Sequence, residues 1–168
     1  MTSNWLRHLL LDQVLTVEEY EDIPHPRLEL HAHVLVKNIE AGCILGMVVI
    51  GPLVGLVRGR SLAAAMAGGA RGGRVGVGIL APLSPLMVEG AVKNQEDERI
   101  YDRAFRIRYN SGQMRADRWA IGGGLSGGLL GLVSPAGAVT GSLLGIALGT
   151  LGAGVYTNKV INVIFHIL

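Results

Sequence analysis

Few side chains in this sequence combine the type and spacing that chemistry needs. His25, His31 and His33 are potential metal ligands, but His31 and His33 stand two apart, so on a helix they face different sides. The only cysteine, Cys43, lies in an apolar run and reads as a small buried hydrophobe. Gly122, Gly123, Gly124, Gly127 and Gly128 are glycine-rich like a phosphate loop, yet no Gly-Lys-Ser/Thr follows and no strand pattern precedes them. Serines and threonines near the apolar stretches suit helix caps or bonds to the carbonyl one turn back. No nucleophile stands beside a base, so the sequence points to a chain without a catalytic centre, metal or cofactor.

The charges are more informative. Residues 93–118 carry seven Lys/Arg and five Asp/Glu. Arg99, Arg103 and Arg106 are spaced four and three apart and line one helix face, with Arg108 close by. Such a face suits contact with a partner or with an anionic lipid such as cardiolipin. With aromatics at 5% and a net charge of +2, base stacking and a nucleic-acid partner are not expected.

The elements that must position these residues are apolar and rich in glycine. Hydrophobic residues make up 49% of the 168, and mean hydropathy is +0.41. All 25 glycines fall between Gly42 and Gly154. Glycine costs about 1 kcal/mol against alanine in a soluble helix. Between membrane helices it lets backbones approach. Gly137, Gly141, Gly145 and Gly149 form a four-residue ladder continued by Ala153; Gly123, Gly127 and Gly131 form another. Gly42 and Gly46 begin a third, followed by Gly51, Gly55 and Gly59. Residues four apart share a helix face, so each ladder is a groove into which a neighbouring helix settles.

The expected fold is an all-α membrane protein: a helical arm followed by about four short Gly-rich transmembrane helices. The arm occupies residues 1–37, with Trp5, Leu6, Leu9, Leu10, Val14 and Leu15 at helical spacing and a helix restarting at Pro26. The transmembrane domain, residues 38–156, has spans at 38–57, 73–92, 119–133 and 136–156 and a polar loop at 93–118. Glu40 is expected at headgroup level, and Arg71 and Arg74 at an interface before the second span. Pro82 and Pro85 predict a kink or break in that span. Trp119 suits an interfacial anchor, Ser134-Pro135 a tight turn between antiparallel neighbours, and residues 157–168 an interfacial tail. The first residues lack a secretory-signal pattern, which puts targeting information inside the chain.

Four spans, glycine ladders and a charged loop before the third span together resemble the family of mitochondrial inner-membrane translocase channel subunits, which includes an accessory subunit of respiratory complex I. That family's signature is an arginine, an aspartate, two small residues and a further glycine; the nearest match is Arg115, Asp117, Gly123, Gly124 and Gly128. Here the arginine stands two residues before the aspartate rather than four, and the glycine pair comes one residue early. The departure favours the structural branch over the channel-forming members. The resemblance implies a multi-pass protein of the mitochondrial inner membrane. It also implies that Arg115 and Asp117 form a structural ion pair and that the partners are lipids and other membrane subunits of a large complex. The function it implies is a non-catalytic accessory subunit of complex I, the alternative being a subunit of a protein-import translocase. The family's topology puts the N-terminus in the intermembrane space. The Lys/Arg balance, eleven on that side against four, points the other way.

Overall fold

The computed structural model describes residues 4–11 and 15–167, and all regular structure among them is helical. The order is α1 (Asn4–Leu11), α2 (Val17–Glu21), α3 (Pro26–Cys43), a π-helical segment (Ile44–Ile50), α4 (Gly51–Gly59), α5 (Leu62–Val92), α6 (Asp97–Tyr109), α7 (Ser111–Leu132) and α8 (Gly137–Ile167). The arm helix ends at Leu11; the part expected over 12–14 lies outside the described residues. Thr16 starts α2 with a capping box, its hydroxyl accepting from the Glu19 amide at 3.2 Å while Glu19 accepts from the Thr16 amide at 3.1 Å. Pro26 opens α3 from its first turn.

From Pro26 the chain runs as one helical rod to Gly59, and α5 returns antiparallel to it. The π segment has a reason in the sequence. The glycines of the first rod are spaced four, five, four and four, whereas Ala64, Gly68, Gly72 and Gly76 of α5 keep a strict four. Where one extra residue separates Gly46 from Gly51, the backbone widens to a π turn, and the Gly51 amide bonds the Gly46 carbonyl five residues back. Both glycines thereby face α5. A Cβ on Gly46 would overlap the Gly72 carbonyl, and one on Gly51 the Gly68 carbonyl.

The second hairpin, α7 and α8, needs no such adjustment. Gly123 meets Gly145, Gly127 meets Gly141, and Gly149 meets the Trp119 carbonyl, each too closely for a Cβ. Backbones this close gain dispersion contacts that any larger side chain would forbid. That offsets the intrinsic cost of glycine in a helix. Gly137 differs from its ladder neighbours. Its φ of +77° makes it the left-handed residue that lets the chain re-enter a helix after Ser134-Pro135, and a Cβ on it would meet nothing within 4 Å.

The two hairpins join through Cys43 and Met47 of the first rod packed on Leu143 and Ala147 of α8. Leu30, Val88, Val92 and Ile100 tie α3, α5 and α6 together, and Leu9 of α1 packs on Met114 of α7. Because both hairpins are antiparallel, the arm, α6 and the end of α8 gather at one end of the bundle, and the two tight turns lie at the other.

Among the described residues three helices are long and apolar enough to cross a membrane: Pro26–Gly59, Leu62–Val92 and Gly137–Asn158. α7, expected as a further span, is not among them, because its first turns carry Arg115, Asp117 and Arg118. Other boundaries also shift. The second span was expected from Gly73, but Ser61 caps α5 by accepting from the Ala64 amide at 3.2 Å, and the helix starts at Leu62. Arginine is a good helix former, so Arg71 and Arg74 do not stop it. Nor do Pro82 and Pro85 break it: both rings lie on its exposed face, away from the packed neighbours, and α5 stays one helix. The polar stretch 93–118 is mostly helical, with Asp97 and Glu98 in the first turn of α6 and Arg106 and Arg108 in its last, matching the helix dipole. α8 continues past Tyr156 to Ile167; Leu168 lies outside the described residues.

Candidate functional site

The polar chemistry of the molecule is concentrated at the arm end, along one stripe of α3. Glu29, His33, Lys37 and Glu40 are spaced four, four and three apart, so they share a face, which turns toward α6 and α7. Sequence reasoning missed this stripe, although its spacing was visible.

Arg108 is fully buried and forms a fork on Glu29: Nε donates to Oε2 at 2.8 Å, and Nη2 donates to Oε1. Its Nη1 donates to the backbone carbonyls of Glu19 at 2.8 Å and Asp22 at 3.0 Å. One guanidinium thus holds α2, α3 and α6 together. Arg108 was expected on an exposed lipid or partner face; its donors are instead consumed inside the protein. Arg99, Arg103 and Arg106 do share the exposed face of α6, where Arg106 pairs with Asp102 at 2.9 Å.

One turn further along α3, Asp117 is buried between Lys37, whose Nζ contacts its Oδ1, and His33, whose Nδ1 lies 3.5 Å from Oδ2. Burial alone would push this carboxyl up. The His33 and Lys37 partners more than offset that and hold it below the ordinary carboxylate range. Lys37 also donates to Glu40 at 2.9 Å, so Glu40 sits buried beside a cation. The expected Arg115–Asp117 pair is therefore corrected. Two residues apart on a helix, these side chains point about 160° from each other when successive residues turn by ~100°. Asp117 faces α3, while the Arg115 guanidinium lies over the Tyr156 ring at 5.3 Å.

His31 and His33 do face different neighbours: His31 Nε2 lies 3.2 Å from Glu89 of α5, and His33 faces Asp117 of α7. Further down the bundle, Asn38 donates to the Ser84 hydroxyl at 2.9 Å, and Arg74 donates to Thr140 at 2.7 Å, linking α5 to α8. Chemically the arrangement immobilises: its buried charges are paired within the protein and fasten the arm to the bundle.

Fold and site together define the class, an all-helical chain of two glycine-packed hairpins under an ion-paired cap, with three helices long and apolar enough to span a membrane. The chain belongs to the family described as "Protein of unknown function (DUF1757)", whose model matches residues 5–156. No curated protein matches it.

Proposed function

We propose that this chain is a structural subunit that crosses the mitochondrial inner membrane four times, α7 supplying the fourth span from Trp119 to Leu132. It stabilises the membrane arm of respiratory complex I, as an accessory subunit, through helix packing and lipid contacts, and performs no catalysis itself. One observation carries the structural reading. The inner faces of both hairpins are sealed backbone to backbone, while their outer faces present Ile50, Leu53, Val57, Leu86, Leu129 and Leu148 to the surroundings. A surface that apolar needs lipid tails or partner helices against it. The mitochondrial setting rests on the family resemblance of topology, ladders and charged loop.

An import-translocase subunit is the second reading. It is favoured by a cavity of about 610 Å³ between the hairpins, lined by Met47, Pro52, Leu62, Met66, Arg74 and Leu144. Native gels after depletion of the chain separate the two. The accessory reading expects less assembled complex I, with unchanged turnover per remaining complex. Loss of precursor import before any loss of complex I would reject it in favour of the translocase.

A further inference from the structure

The arm, the start of α7 and the end of α8 enclose a second cavity, of about 360 Å³. Ser111, Arg115, Arg118 and Trp119 reach it from α7, Tyr109 from α6 and Tyr156 from α8. Arg108 is part of its wall, but Glu29 and two carbonyls occupy that guanidinium, so it offers structure and not a ligand. No described lining residue is acidic.

We propose that this cavity binds the phosphate of an anionic phospholipid headgroup. Arg115 is the central group. Its guanidinium carbon lies over the Tyr156 ring, 5.3 Å from the ring centre, and that ring packs against Trp119 with ring centres 5.8 Å apart. A cation–π contact engages the charge of the guanidinium and not its N–H donors, so the planar fork can still meet phosphate oxygens. Among the described residues no carboxylate lies within ion-pairing distance of Arg115. Ser111 and Arg115 are four apart and share a face of α7, with Arg118 a turn further on, its Nε donating to the Met114 carbonyl at 3.4 Å while its charge adds to the field of the cavity. Ser111 is also the first residue of a 22-residue helix, where the dipole favours an anion.

The depth of the cavity selects a lipid. It sits where α7 changes from polar residues to the apolar run after Trp119, and half-exposed Trp119 and Tyr156 form the amphipathic ledge that marks a headgroup layer. This assignment rests on the membrane reading above. It also moves the lipid site from the exposed α6 arginines to a built cavity.

The test uses the full chain in nanodiscs of phosphatidylcholine with or without phosphatidylglycerol, with bound lipid counted by native mass spectrometry. Wild type should retain phosphatidylglycerol selectively. Arg115→Gln should bind it about tenfold more weakly, roughly 1.4 kcal/mol. Arg103→Gln, on the exposed α6 face, should bind like wild type, and Arg115→Lys should bind between wild type and Arg115→Gln. Helicity and melting of each variant confirm folding. Equal retention by wild type and the double variant Arg115→Gln/Arg118→Gln would overturn the proposal. So would inorganic phosphate alone displacing the bound lipid at equal concentration, which would assign the cavity to a soluble anion. Resistance of the chain to alkaline carbonate extraction tests membrane insertion independently. Extraction sinks the membrane reading; insertion without selective retention sinks the cavity assignment alone.

Discussion

The two hairpins solve one packing problem in different ways. In α7–α8 every fourth residue is small on both helices, the pairing register never shifts, and the interface is nearly all glycine and carbonyl. In the first hairpin the ladder contains one residue too many, a π turn absorbs it, and α3 then extends beyond the ladder as a charged stripe. Where the sequence is periodic the backbone stays regular. Where it is not, the helix deforms before the contact is given up, which implies that close approach is worth more than an ideal hydrogen-bond ladder.

The largest effect should come from filling the regular seam. Gly145→Leu puts a branched side chain where the Gly123 carbonyl already sits. Ordinary overpacking costs about 1–3 kcal/mol. Here the obstacle is backbone, which cannot step aside, so the hairpin should open, with the protein inserted but degraded and absent from native complexes. Normal complex levels in this variant would remove the packing role. Next come single-residue deletions, which set the two hairpins against each other directly. Deleting Leu125 from α7 throws Gly127 and Gly131 out of register and should abolish assembly. Deleting Val48 converts five-residue spacing to four, lets the π turn become α, and should leave melting in detergent near wild type. Equal damage from both deletions would mean that the π turn is not a register correction.

Arg108→Met strands Glu29 as a buried, unpaired charge and should destabilise by roughly 3–5 kcal/mol. The double variant Arg108→Met/Glu29→Met should recover most of that loss in thermal melts, and failure to recover would assign the damage to packing. The smallest effect is on pH. The folded carboxyl of Asp117 lies below its unfolded value, near the ordinary ~3.9. Its stabilising contribution is therefore complete above that value and is lost as pH falls through the lower folded one. Melting temperature should fall more steeply with acid in wild type than in Asp117→Asn; parallel acid profiles would show that Asp117 contributes nothing.

The legible parts of this molecule were the local ones. Ladder spacing, the Ser134-Pro135 turn and the antiparallel α7–α8 pair depend on neighbours a few residues apart; the structure has the turn and the pair, with Gly137 serving the turn and not the seam. The π turn was written in the same code, as five among fours beside Pro52, but a break in a repeat is easily taken for noise. The partners of Asp117 and Arg108 were not legible. Lys37 and Glu29 stand about 80 residues away in sequence, and which charge meets which is decided only when α3 docks on α6 and α7. The Arg115–Asp117 pair was implied by the family resemblance and not by spacing, which on a helix turns the two side chains apart.

The glycine contact also has a mechanical side. Two helices whose carbonyls rest between each other's Cα atoms are geared: neither can slide or roll without lifting those teeth clear. Each hairpin must therefore move as a stiff plank. At the arm end the planks are riveted by buried ions. Toward the turns they are held by the apolar joint around Cys43, Met47, Leu143 and Ala147 and by the bond from Arg74 to Thr140. A splaying of the two boards about that fixed end would open the side that carries the tight turns.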